Sequence, residues 1–167
     1  QRLESAPFIC IAAINGWCMG GGLELALACH LRYAQAGDYL IGLLEVQLHL
    51  LPGAGGTQRL GRVVGQARAL EMLLLGTCVC PEDAERIGLV HSLVNDVQLH
   101  SDTVATLLAS RPPHLLQHVV RLHADAQQLA WSEGMERERG AFSAILRDEE
   151  TLQRLAEFNS GTVRVPE

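Results

Sequence analysis

Lysine is absent from this 167-residue sequence, in which all 13 basic residues are arginine. No Schiff-base lysine and no Walker-type phosphate lysine can therefore operate in it. Aromatic residues make up only 4%. No apolar stretch runs beyond about a dozen residues, short of the roughly 20 that a membrane-spanning helix requires. A basic stripe is missing as well, and the formal net charge of −6 argues against a nucleic-acid surface. G-x-S-x-G does not occur, which excludes a hydrolase nucleophile elbow. Disorder is excluded by what is present: 48% hydrophobic residues with the charge spread rather than blocked. A chain of this length can bury about 70% of its unfolded surface around one core.

The five cysteines are an odd number set mostly among apolar residues, where free thiols act as small hydrophobes in a reducing compartment. Cys78 and Cys80 have no second pair at zinc-site spacing, and no metal is expected there. His114 and His118, four apart, lack a third ligand and read as a helix surface. The chain opens at Gln1 without a methionine, so it reads as processed or partial, and a targeting segment is not to be judged from it.

The apolar, β-branched run Phe8 to Ile14, stopped by Asn15-Gly16, predicts a strand buried on both faces, as in parallel sheets. Gly20-Gly21-Gly22 then feeds Leu23 to Cys29, a run of strong helix formers. Leu31 to Ala34, Tyr39 to Ile41 and Leu89 to Val94 read as further strands. A second glycine-rich element, Pro52 to Gly56, enters helical sequence near Arg59, for which a structural role is expected. Helices are predicted from Gln66 to Leu75 and from Pro81 to Ile87, stopped by Gly76 and Gly88. Beyond Asp96 the pattern is helical, broken at Pro112-Pro113 and Gly161. The expectation is an α/β core over residues 1–95 and a helical region over 96–167.

The first glycine element does not keep G-x-G-x-x-G spacing. What remains is a turn with unpaired N–H groups at a helix N-terminus, suited to an anion or a developing oxyanion. Glu24 follows one helical turn after Gly21, among Leu23, Leu25, Ala26 and Leu27, and Glu45 lies between Leu44 and Val46. From composition alone, a solvated side chain is the commoner reading of either acid. If both are partly buried together, their titrations couple, supplying a general acid and a general base in one site.

Ile11 to Gly16, Met19 to Ala26, Glu45 and Leu51 to Leu60 resemble the crotonase (enoyl-CoA hydratase/isomerase) superfamily. Gly76, Ala84 to Val90, Glu133 to Glu136 and Phe142 extend the resemblance over essentially the whole chain. It implies an α/β spiral of ββα turns, here a partial core, followed by C-terminal helices that build homotrimers or hexamers. It implies acyl-CoA substrates, with coenzyme A part of the substrate and no separate cofactor. By the same resemblance Gly21 supplies an oxyanion-hole N–H, Glu24 matches the acid that activates water, and Glu45 the acid that moves a proton at the α-carbon. Trp17, Gly20, Gly22, Leu44, Pro52 and Gly53 are the expected substrate-lining residues.

Departures from the family pattern are Leu44 where proline is common, His30 where aspartate is usual, and Gly161 to Glu167 in place of a lysine-rich tail. The family's N-terminal part, with the other oxyanion donor, has no counterpart before Gln1, so the chain alone is expected not to turn over without that segment or a companion chain. The expected activity is hydration of a trans-2-enoyl-CoA, favoured over isomerisation because both glutamates are kept. The alternatives are an isomerase or other crotonase-type reaction, or a truncated, non-catalytic subunit. Self-association is expected through Leu107, Leu108, Leu115, Leu116, Val119, Val120, Leu122 and the Trp131 region. The expected compartment is cytoplasmic in a bacterium, and mitochondrial or peroxisomal in a eukaryote.

Overall fold

The apolar run from Phe8 forms a strand only over Ile11–Ile14 (β1) in the computed structural model, which describes residues 2–162. After Asn15-Gly16 come a two-residue strand, Cys18–Met19 (β2), and a seven-residue helix, Gly21–Leu27 (α1). Leu31–Gln35 (β3) and Ile41–Gly42 (β4) follow, then a 3₁₀ turn over Glu45–Leu48. Gly56–Val64 (α2), Gln66–Leu75 (α3), Cys78–Val79 (β5), Pro81–Arg86 (α4), Ser92–Val94 (β6) and Val97–Ala109 (α5) complete this part.

Two small sheets result, ordered β1-β3-β6 and β2-β4-β5. β1 and β3 run parallel, with Ile11 opposite Leu31 and Ile14 opposite Ala34. Parallel pairing demands a crossover, and α1 supplies it. β3 and β6 are also parallel, whereas β4 and β5 are antiparallel. Leu23 and Leu27, one turn apart on α1, join Ile41, Leu43, Leu60, Met72, Leu89 and Val90 in the core. Burial pushes the Cys18 thiol up to about 11, as for a small apolar group in that core.

Three strand expectations shift. β1 is not buried on both faces: among the described residues it is a sheet edge, and Ala13 is exposed. Leu89 and Val90 plug the core instead of joining a ladder, so β6 begins at Ser92. Tyr39 also stands outside its ladder, donating its hydroxyl to the carbonyls of Gln35 at 2.6 Å and Ile14 at 3.1 Å. The two-residue strands β2 and β5 carry too little pattern to be read from sequence.

The chain divides into two compact units, the first reaching Ser110 and the second starting at Arg111. Helix α5, beyond the composition shift near Asn95, packs on β1 and β3 and so belongs to the first unit. Asp96 caps it, accepting the Leu99 N–H at 2.9 Å.

The second unit holds Pro113–Asp125 (α6), Trp131–Ile145 (α7) and Glu149–Asn159 (α8). No residue of these three helices is fully buried. Among the described residues no helix is long and apolar enough to cross a membrane, and no His, Cys, Asp and Glu cluster could hold a metal. Residues 163–167 of the departing tail lie outside the described residues.

Candidate active site

Gly20 adopts φ 54° and ψ −125°, a state that L side chains resist, and a Cβ there would stand 3.2 Å from Glu45 Oε1. Its N–H donates to the Gly42 carbonyl at 2.9 Å, which ties the turn to β4. The first bond of α1 runs from Glu24 N–H to the Gly20 carbonyl at 3.0 Å, so the N–H groups of Gly21, Gly22 and Leu23 have no acceptor within the helix. Gly21 and Gly22 are exposed, and nothing stands within 4 Å of a Cβ built on Gly21.

Glu24 is 4% exposed. Its Oε1 accepts the N–H groups of Ala54 at 2.7 Å and Gly56 at 2.8 Å. A buried carboxylate needs such donors, because loss of hydration without them is costly. Gly56 can approach because it lacks a Cβ, which would fall 2.8 Å from Leu43, 3.0 Å from Pro52 and 3.2 Å from Glu24 Cγ. Gly55, at φ 103°, makes the turn that aims both donors.

Arg59 holds the same loop from α2. Its Nη1 donates to the Ala54 carbonyl at 2.6 Å, and its Nε and Nη2 grip Glu4 at 2.6 and 2.8 Å. The guanidinium lowers the Glu4 carboxyl to about 2. Glu4 therefore contributes stability that is fully present above about pH 4.5 and is lost as the pH falls towards 2. The Glu4 carboxylate remains exposed to solvent, so the effect is modest. Melting temperatures of the protein and of Glu4→Gln should converge between pH 5 and 2.5; a constant gap would remove this role.

Glu45 opens the 3₁₀ turn. Its Oε2 is buried with no hydrogen-bond partner among the described residues, an acceptor left for a ligand or water. Gln47 pins the turn by donating to the Gly76 carbonyl at 2.8 Å. His49 ends the turn at φ 58°, the one described residue other than glycine at positive φ. That state costs an L-residue about 1–2 kcal/mol, partly offset in a glycine variant by its greater chain entropy. His49→Gly should therefore raise stability by up to about 1 kcal/mol in urea unfolding; a loss would show that the His49 side chain itself stabilises the turn.

The structure thus brings Gly20, Gly21, Glu24 and Glu45 to one turn, with Pro52 beside Gly56. Leu44 is half-buried directly before the 3₁₀ turn, and Gly53 is exposed with open space around it. Trp17, 66% exposed, stands elsewhere: with Gly22, Leu25 and β1 it lines a groove of about 500 Å³ whose walls include neither glutamate. The Ala54 and Gly56 N–H groups and Gln47 escape sequence reasoning. Their signal, the Pro52 to Gly56 run, reads there only as an entry to a helix.

The family model for enoyl-CoA hydratase/isomerase matches residues 1–160. A fatty acid oxidation complex subunit alpha from Shewanella halifaxensis is 49% identical over 119 residues, covering 71% of this chain and 17% of the relative. A counterpart from Shewanella baltica is 48% identical over 112 residues, covering 66% and 16%. Among solved structures, an enoyl-CoA hydratase subunit from Geobacillus kaustophilus superposes with a TM-score of 0.90 at 36% identity, covering 99% of this chain and 64% of that one. An enoyl-CoA hydratase from Bacillus anthracis gives 0.89 at 33%, with 99% and 64% covered. The chain thus spans about a sixth of the length of those relatives and under two thirds of the solved structures. The α/β architecture is the crotonase-type fold, and the chain belongs to the enoyl-CoA hydratase/isomerase family.

Proposed function

We propose that the turn at Gly20 to Glu24, with Glu45, is the acid–base centre of an enoyl-CoA hydratase. The observation that carries this reading is the fixing of Glu24 through one oxygen by two main-chain N–H groups, beside a helix start whose first N–H groups have no acceptor within the helix. A thioester oxygen at Gly21 N–H gains charge as water adds to C3, and a preorganised donor stabilises that charge without reorganising. Oε1 of Glu24 is occupied, which leaves Oε2 to take the proton of the attacking water. Glu45, close to Gly20, delivers a proton to C2. The product is a 3-hydroxyacyl thioester, and the reaction calls for no cofactor beyond the coenzyme A that the substrate carries. Leu44, Pro52 and Gly53 flank this centre as substrate-lining residues.

The test is incubation of the protein, supplied with the segment or companion chain that carries the family's N-terminal part, with a trans-2-enoyl-CoA. Loss of enoyl absorbance with a product heavier by one water supports hydration. No change, together with conversion of a 3-enoyl to a 2-enoyl thioester, would replace this reading with isomerisation.

We further infer assembly as a homotrimer or hexamer through the second unit. Trp131 at 83% exposure, Phe142 and Phe158 present apolar surface on helices that bury no residue of their own. Light scattering should give three or six chains at micromolar concentration; a monomer would refute it. A cytoplasmic setting fits the bacterial relatives.

A further inference from the structure

We propose that His30 and His91 form an acid-sensitive fastening of the β1-β3-β6 sheet, each accepting a main-chain N–H from the neighbouring segment only while its ring is neutral. This inference is independent of the reaction proposed above.

His30 precedes β3, and its Nδ1 accepts the Cys10 N–H at 2.9 Å. The Cys10 carbonyl in turn accepts the N–H groups of His30 at 3.0 Å and Leu31 at 3.1 Å. His91 precedes β6 and repeats the arrangement. Its Nδ1 accepts the Arg32 N–H at 3.1 Å, while the Arg32 carbonyl accepts the His91 N–H at 2.8 Å. One histidine therefore closes the entry of β1 against β3, and the other closes β3 against β6.

An imidazole nitrogen accepts only when it carries no proton, so the fastening requires the Nε2–H tautomer at both rings. Protonation turns each Nδ1 into a donor facing an N–H donor. At His91 the Arg32 carbonyl lies 3.2 Å from Nδ1 and also accepts the His91 N–H, so a protonated Nδ1 would share that acceptor while losing the Arg32 N–H as its donor. An imidazolium there would also stand beside Arg32, a buried guanidinium held by the carbonyls of Leu89 at 2.9 Å and Cys29 at 3.1 Å.

The titratable and charged groups around the pair come from each neighbouring element. Glu4 and Cys10 lie before β1, Cys29 after α1, and Arg32 and Tyr33 on β3. Glu85 of α4 accepts the Leu93 N–H, and His100 of α5 packs edge-on to Tyr33. Of these groups Glu4 favours a charged His30, first through its main chain and then through its carboxylate, which is engaged with Arg59. Loss of hydration lowers the pKa of His30 despite Glu4; at His91, loss of hydration and the Arg32 charge lower it against a smaller opposing effect of the Arg32 main chain.

The folded state therefore binds fewer of these protons than the unfolded chain. Stability from the pair is fully present above about pH 6.5 and is lost as the pH falls through 6.5 towards the lowered folded values. The unfolding constant rises by up to about tenfold per pH unit for each histidine, hence up to about a hundredfold for both. This window is separate from that of Glu4, which lies below about pH 4.5.

The experiment is urea unfolding of the protein, His30→Asn, His91→Asn and the double variant at pH 8, 7, 6 and 5.5. Asparagine offers Oδ1 near the position of Nδ1 and does not titrate. The expected result is a falling midpoint for the protein, a shallower fall for each single variant, and the shallowest for the double. A flat profile for the protein, or an unchanged slope in the double variant, overturns the proposal. Should the variants fail to fold, NMR titration of the unaltered protein decides. Nε2–H tautomers titrating below 6.5 at both histidines support the fastening; an Nδ1–H tautomer or titration above 6.5 at either overturns it.

Discussion

In a protein that also carries the family's N-terminal part, Glu24→Gln is expected to lower hydration of an enoyl thioester by about 10²- to 10⁴-fold while leaving the fold and its melting temperature nearly unchanged. The amide keeps an oxygen where Oε1 stands, so the Ala54 and Gly56 N–H groups retain their acceptor, yet it cannot take a proton from water. Glu24→Ala should lose the same activity and, in addition, about 1–3 kcal/mol for the buried Gly56 N–H left unpaired. Comparing the two separates chemistry from scaffolding: kcat falls in both, and stability only in the alanine variant. Glu45→Gln should lose activity over the same range, since its Oε2 has no structural bond to forfeit. Near-normal hydration in either glutamine variant would end the two-acid assignment. A Glu24→Gln protein that loses hydration but still moves a double bond would shift the reading to an isomerase.

Gly42→Ala is the substitution expected to damage the fold most. A Cβ at Gly42 would fall 2.6 Å from Cys78 Cα and 2.8 Å from the Thr77 carbonyl. Both are main-chain atoms, so relief requires β4 and β5 to separate rather than one side chain to turn. The Gly42 carbonyl also accepts the Gly20 N–H at 2.9 Å, so the displacement would pass to the turn that carries Gly21 and Glu24. Overpacking of this kind costs about 3 kcal/mol, which for a chain of this size lowers the melting temperature by roughly 6–12 °C. Gly53→Ala is the matched control, because nothing lies within 4 Å of its added Cβ. Circular dichroism melts of the two should differ by most of that amount. Equal melts would mean that the strand pair yields more easily than its main-chain contacts indicate.

Much of the fold is legible in the residues themselves, because the forces that set it act locally. Gln66–Leu75 is a helix closed by Gly76 in the left-handed region, and Pro81 opens α4, each as the residue types dictate. Glycine also announces the two turns that flank the acids, because a positive φ is a property of one residue. The isolation of Glu24 and Glu45 in apolar surroundings is likewise visible in a few neighbours. Other features depend on segments far apart in the chain. β1 reads as doubly buried because apolar residues name a preference and not a neighbour, and the ladder shows it to be an edge among the described residues. Glu24 looks like a lone acid until the loop some 30 residues later closes on it with two N–H groups. Arg59 finds Glu4 across 55 residues, and Trp17 lines a groove along β1 whose walls include neither acid. Sequence alone determined which backbone states and which apolar faces the chain adopts, since these follow from sterics and hydration within a few residues. Only tertiary structure decided which donor meets which acceptor, since a hydrogen bond depends on ångström-scale placement that exists only after distant loops have packed.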